Sequence, residues 1–217
     1  MVRRLPIYIL ADTSGSMEGD PIEAVKQGIR SLQTNLLGDP SAIETAWLSV
    51  ISFDDVAVQK VPLTDICEFV PPDLDAGGVT SMASALRLLL ECIDVEVSRS
   101  GGAVKGDWRP LVFLLTDGTP TDKKGEPSDD WREPAAELKR RELGNIIALA
   151  CGEHASVETL KEIADTVLYM RDMSLDSFSR FFRWVSHTVS AASQRHGRET
   201  PRGEVVLPPP PDIVFVP

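Results

Sequence analysis

Leu111-Val112-Phe113-Leu114-Leu115 is a run of five apolar residues closed by Thr116-Asp117-Gly118. An apolar run that short, without polar alternation and ended by a turn signal, fits a strand buried on both faces, as in parallel sheets covered by helices on either side. The rest of the chain follows the same plan. Strand-like runs at 6–11, 47–53, 146–151 and 167–170 alternate with helix-like stretches, which predicts an α/β fold with a doubly wound, mostly parallel central sheet flanked by helices. Residues 57–61 follow 47–53 through Asp54-Asp55 and read as the second half of a hairpin, giving one antiparallel edge strand.

The helix signals are specific. Asp20 stands at an N-cap position, Pro21 at the first helical position and Glu23 three residues after the cap. Ile22, Val25, Ile29, Leu32 and Leu36 follow at helical spacing until Gly38-Asp39-Pro40 ends the helix. A second helix begins after Gly77-Gly78-Val79-Thr80-Ser81 and places Met82, Leu86, Leu89 and Ile93 on one side. A charged helix is expected near 131–143, a short one from a Ser156 cap to Ala164, and a last one after Ser174. In that last helix Phe178, Phe181, Phe182, Val185 and Val189 form a face that packs on the sheet. From Gln194 the composition shifts to Arg, Gly and Pro. Residues 1–193 are therefore expected to form the α/β domain and 194–217 a Pro-rich tail, with Pro208 to Pro211 as stiff polyproline rather than packed structure and Ile213 to Val216 as an apolar hook.

With 42% hydrophobic and 25% charged residues, a chain of 217 suits one sizeable core plus a tail. No apolar stretch reaches the roughly 18 residues that span a bilayer, so a cytoplasmic protein without a membrane partner is expected. A formal charge of −11 argues against nucleic-acid binding, which relies on Lys and Arg to neutralise phosphates. Cys67, Cys92 and Cys151 are odd in number and lack C-x-x-C spacing, so they are expected to be core thiols. Cys151 and His154 would make half a zinc site, but no second ligand pair accompanies them.

The chemistry gathers elsewhere. Asp12-Thr13-Ser14-Gly15-Ser16 leaves the first strand, Thr80 opens the second long helix and Asp117 leaves the apolar strand. Each alone reads equally well as a helix cap or a turn. Loops at the carboxyl ends of neighbouring parallel strands meet, however, and together these three would gather carboxylate and hydroxyl oxygens. Such hard donors suit Mg²⁺, with Mn²⁺ or Ca²⁺ also acceptable, whereas zinc and copper favour nitrogen and sulfur.

These motifs, in this order, resemble the von Willebrand factor A domain with its metal-ion-dependent adhesion site (MIDAS): Asp12, Ser14 and Ser16 match D-x-S-x-S, Thr80 stands in Gly-Gly-x-Thr, and Asp117 in Thr-Asp-Gly. The resemblance spans roughly residues 5–190. It implies that Ser14, Ser16 and Thr80 coordinate Mg²⁺ directly or nearly so, that Asp12 and Asp117 hold it directly or through water, and that an acidic residue of a protein partner completes the shell. Within the family the likeness narrows to TerY-type stand-alone A-domain proteins of bacterial tellurite-resistance and stress-response gene sets. That narrower match implies a non-catalytic scaffold in phosphorylation signalling, with a kinase and a phosphatase as partners.

Two other readings compete. In a Mg²⁺-dependent phosphohydrolase Asp12 would be the nucleophile, yet Ser14 stands where a second Asp is expected. In a module whose metal is merely structural, the Pro-rich tail would do the recognition. A serine hydrolase lacks G-x-S-x-G and a P-loop NTPase lacks G-x-x-x-x-G-K-[ST]. Thr119-Pro120-Thr121-Asp122 is expected to shape the rim of the site or to present a phosphorylatable threonine. Trp108 and Trp131 are candidate surface anchors.

Overall fold

A computed structural model describes residues 3–101, 105–122, 124–141, 143–194 and 207–212, and the backbone of 214–215. The strands are β1 (Leu5–Asp12), β2 (Ala46–Phe53), β3 (Ala57–Asp65), β4 (Leu111–Thr116), β5 (Asn145–Cys151), β6 (Thr166–Met170) and β7 (Val214–Phe215). Between them lie α1 (Asp20–Leu37), α2 (Pro40–Thr45), α3 (Met82–Glu96), α4 (Arg132–Arg140), α5 (Val157–Ile163) and α6 (Leu175–Gln194). The sheet order is β3-β2-β1-β4-β5-β6-β7. From β2 to β6 all pairing is parallel, β3 runs antiparallel on β2, and β7 adds a two-residue antiparallel strand to β6.

The all-apolar strands are buried on both faces, as their composition requires. Leu5, Ile7 and Ile9 of β1 join Phe113 of β4 and the inner sides of α1 and α6 in one cluster. Tyr8 and Leu10, half a pleat away, join Val112, Leu114 and the inner sides of α3, α4 and α5 in the other. β3 alternates between partly buried and exposed side chains, as an edge strand with one wet face should.

Several local expectations are corrected. Asp20 is the first helical residue rather than the cap. Gly19 takes that place at φ 82°, which a side chain rarely adopts. The first helix ends at Gly38 as expected, but Pro40 also opens an unexpected short helix, α2, because the Asp39 carboxylate accepts from the Ser41 backbone N–H (2.9 Å). β3 continues to Asp65 through register shifts on β2. Cys92 and Cys151 are core thiols, but Cys67 is exposed. Trp131 is 2% exposed, and Trp108 packs partly against the core beneath the Arg3 guanidinium (4.0 Å), so neither is a free surface anchor. Pro208 to Pro211 is not detached: Leu207 packs on the core and the Pro208 carbonyl accepts from Trp184. Of the expected hook, Ile213 and Val216 lie outside the described residues, while Val214–Phe215 forms β7.

The α1–α6 contact depends on Gly28. A Cβ there would fall 2.0 Å from the Phe182 ring, which is 1% exposed and has no room to swing away. Gly28→Ala should therefore destabilise the chain by about 1–3 kcal/mol through overpacking, exceeding the helical gain of up to about 1 kcal/mol. Urea denaturation measures this, and an unchanged or raised midpoint would show that the helices separate freely.

Candidate metal centre

β1 and β4 are adjacent parallel strands at the point where the strand order reverses, and their carboxyl ends open the crevice in which open α/β sheets hold ligands. Asp12 ends β1 and Asp117 follows β4 by one residue. The neighbouring strand positions lock the first carboxylate in place. Asp12 Oδ2 accepts from the Thr116 hydroxyl (2.5 Å) and Oδ1 from the Ser14 backbone N–H (2.8 Å).

The hydroxyls do not serve as caps. Ser14 precedes a 3-10 turn (Gly15–Met17) and Ser81 precedes α3, and neither side chain makes a capping bond. Instead Ser16 Oγ donates to Asp117 Oδ1 (2.9 Å) and lies 3.2 Å from Ser14 Oγ. Thr80 joins them through Gly118: a Cβ on Gly118 would sit 2.8 Å from Thr80 Oγ1, so the threonine hydroxyl lies against the residue after Asp117. Hydrogen bonds thus link Asp12, Ser14, Ser16 and Asp117 in one chain of contacts, and Thr80 lies beside the glycine that follows Asp117.

The loops carrying them are bonded to one another. The Gly15 N–H donates to Gly78 O (3.1 Å) and the Gly77 N–H to Thr13 O (2.8 Å), stitching the first loop to the one that carries Thr80. Gly78 has φ 73°, and the Asp55 carboxylate that receives the Val79 N–H (2.9 Å) fills the space where its side chain would go. Thr121 and Thr80 clasp reciprocally. The Thr80 N–H donates to Thr121 Oγ1 (3.1 Å) and the Thr121 N–H to Thr80 O (3.0 Å).

Sequence reasoning placed Thr121 on the rim but missed its grip on Thr80, and it missed Thr116, Asp54 and Asp55 altogether. Thr116 directly precedes the Asp117-Gly118 turn and was the available clue. Asp54 and Asp55 read simply as a hairpin turn, yet Asp54 Oδ2 accepts from Thr13 Oγ1 (3.3 Å) and its carbonyl from the Ser81 N–H (2.9 Å).

Electrostatically the site holds two carboxylates that are 0% (Asp12) and 4% (Asp117) exposed, and among the described residues neither is paired with Lys or Arg. Burial pushes the Asp12 carboxyl up to about 6 against the pull of its hydrogen bonds, and the charge of Asp117 adds to the rise. Burial likewise raises Asp117, while its bond from Ser16 and the nearby His154 work the other way. The Cys151 thiol is held well above its ordinary range by burial first and then by these two acids. It therefore remains protonated and is a poor metal ligand. Two buried, uncompensated acids surrounded by neutral hydroxyls match a small hard cation. Among the described residues no three His, Cys, Asp or Glu side chains cluster as a metal site, so a cation held here would have to draw on hydroxyl oxygens as well.

Two outcomes follow. Asp12 ionises near 3.8 when unfolded and about 6 when folded, so its contribution to the metal-free chain is complete below about pH 4 and is lost as pH rises through about 6. At about 1.4 kcal/mol per unit that loss approaches 3 kcal/mol. Asp12→Asn still accepts from the Ser14 N–H, must donate its amide N–H to Thr116 Oγ1 where the carboxylate accepted, and carries no charge, so in EDTA its stability relative to the parent should rise by about that amount between pH 4 and 7. A pH-independent difference in urea titrations would show that the charge is buried without penalty. Thr121→Val should cost about 1–3 kcal/mol by orphaning the Thr80 N–H, and Thr121→Ser should restore most of it. Equal stability of the two variants would mean that the clasp contributes little.

A family model of the von Willebrand factor type A domain matches residues 7–182. No curated protein matches. Solved structures that resemble the chain include a von Willebrand factor type A protein from Catenulispora acidiphila (20% identity, TM-score 0.64, 88% of this chain and 44% of that one). Proximal thread matrix protein 1 from the mussel byssus, in a form with a zinc-occupied MIDAS motif, is 20% identical with a TM-score of 0.60, over 87% of this chain and 48% of that one. The pilus adhesin SpaC from Lactobacillus rhamnosus GG, in its open conformation, is 16% identical with a TM-score of 0.66, over 88% and 30%. At such identities the likeness concerns the fold, and the chain spans less than half the length of each. Because the matched family model covers most of its length, including the three loops that build the site, the chain belongs to the von Willebrand factor type A domain family.

Proposed function

We propose that this chain is a Mg²⁺-dependent protein-binding module of the MIDAS type, with Ser14, Ser16 and Thr80 holding the cation directly or nearly so and Asp12 and Asp117 acting directly or through water. The observation that carries the reading is the pair of buried, unpaired carboxylates joined to a line of neutral hydroxyls. Mg²⁺ favours six oxygens in octahedral array and gives up water reluctantly. A donor set with few charges leaves such a cation electron-poor, so that an Asp or Glu of a partner protein gains by supplying the last ligand. Mn²⁺ and Ca²⁺ suit the same donors, and the zinc in the mussel protein's MIDAS motif brings Zn²⁺ into the comparison.

The burial of Asp12, with both its oxygens engaged by Ser14 and Thr116, supports a binding role over attack on a phosphoester by this carboxylate. The wider setting we propose is bacterial stress or tellurite-resistance signalling, with a kinase and a phosphatase as partners, and it rests on the TerY-type motif likeness. A cytoplasmic site of action belongs to the same proposal. Among the described residues no helix is long and apolar enough to cross a membrane.

Linkage supplies the test. Metal at about a hundred times its dissociation constant adds about 2.7 kcal/mol to stability, or about 5–10 °C in the melting temperature for a chain of this size. Excess Mg²⁺ should give that increment to the parent chain, and Asp117→Ala should abolish it. Capture of partners from the native cell should then be lost in EDTA and in Asp117→Ala alike. Equal capture with and without EDTA would refute metal-dependent binding, and stoichiometric phosphate release from a phosphoester would favour the phosphohydrolase.

A further inference from the structure

Far from the ion-binding loops in sequence, α6 presents a second recognisable surface. Trp184 is 6% exposed, with its ring packed edge-on to Phe113 (6.5 Å between centroids) and tilted on Phe181 (5.9 Å). Its indole N–H is not satisfied within the helix layer: it donates to the carbonyl of Pro208 (3.1 Å). Arg180, Arg183, Trp184 and His187 form one wall of a cleft of about 270 Å³, and Pro208, Pro209 and Pro211 form the other. On either side of the prolines the chain is anchored, by Leu207 against the core and by Val214–Phe215 paired with Tyr169–Met170 of β6.

This is the chemistry by which aromatic grooves read proline-rich segments. A polyproline II helix has no internal hydrogen bonds, so its carbonyls are free to accept, and its rings offer apolar surface at little conformational cost. An indole supplies both the flat apolar wall and the donor.

We propose that the flank of α6 where Arg180, Arg183 and His187 surround the edge of Trp184 is a binding site for proline-rich polyproline II segments and that Pro208 to Pro211 of the same chain is its resident ligand. The chain's own tail is the occupant because the geometry permits it easily. Twelve positions, 195–206, separate Gln194 from Leu207 and reach up to about 40 Å, whereas Trp184 lies about 15 Å back along the helix from Gln194. Because the seated prolines belong to the same chain, a free proline-rich segment must displace them to bind. The partner implied is a protein with an exposed run of prolines, read at a site independent of the metal centre. The same seating sequesters the tail, which weighs against the tail as a freely displayed recognition element.

The test uses the full chain and a fluorescein-labelled peptide of residues 207–217, followed by anisotropy. Replacing the tail prolines (Pro208→Ser, Pro209→Gly, Pro210→Ser, Pro211→Gly) removes the rings and leaves only the flanking anchors, so the segment should yield the groove more readily and that chain should bind the peptide about tenfold or more tighter than the parent. In the same background Trp184→Phe, which keeps a ring but loses the N–H, should weaken binding about fivefold. Exposed His187→Ala reads the same wall should the tryptophan variant unfold. No saturable binding by the tail-substituted chain, equal affinity for both chains, or indifference to both groove substitutions would overturn the proposal. A parent dimer on size exclusion that becomes monomeric when the tail prolines are replaced would also overturn it, by seating the tail on a second copy.

Discussion

The bond from the Thr116 hydroxyl to Asp12 joins the ends of two adjacent parallel strands across the place where the sheet changes direction. The geometry of the first carboxylate at the rim depends on it. It fixes a carboxylate in a wholly buried position, and the Ser14 N–H held by the other oxygen of that carboxylate turns the chain so that Ser14 and Ser16 face Asp117. Without the strand pairing of β1 with β4, residues more than a hundred positions apart would share no surroundings.

The cost of that arrangement is electrostatic. A carboxylate taken out of water with hydroxyls rather than cationic side chains for company resists ionisation, which is why Asp12 titrates so high and why Cys151, close to both acids, is held as a thiol. Strain of this kind is characteristic of sites that await a charge from outside the chain. The surrounding bonds, Thr121 to Thr80, Gly15 to Gly78 and Asp55 to Val79, keep the loops together despite the repulsion between Asp12 and Asp117.

The sheet's edges are treated differently from its centre. β3 closes one edge with an antiparallel hairpin, and at the other the C-terminal segment returns past Trp184 to pair with β6. A bare parallel edge presents unpaired backbone groups to any passing strand, and a short returning segment covers part of it. The oxygen-lined rim and the flank of α6 are therefore two surfaces with separate chemistries, one of buried carboxylates and hydroxyls and the other of an aromatic wall with a single N–H.

Local sequence determined the strands and most helices, because burial on both faces forces continuous apolar runs and amphipathic helices force a 3.6-residue period. It determined the five oxygen-bearing residues too, since hydroxyl and acid positions at strand ends are visible as short motifs. Most of what it missed depends on contacts between distant segments. Trp131 folding inward and Cys67 remaining outside were decided by which neighbouring element occupied the adjoining space, whereas Asp39 starting α2 and Gly19 replacing Asp20 as the cap turn on local backbone geometry that composition alone leaves open. Thr116, Thr121, Asp54 and Asp55 are ordinary turn or strand-end residues until the sheet order sets them beside Asp12, Thr80 and Thr13. The proline run reads as a free, stiff spacer for the same reason: its composition fixes its own conformation, but a donor on α6 within reach of its carbonyls exists only once the tertiary fold has formed.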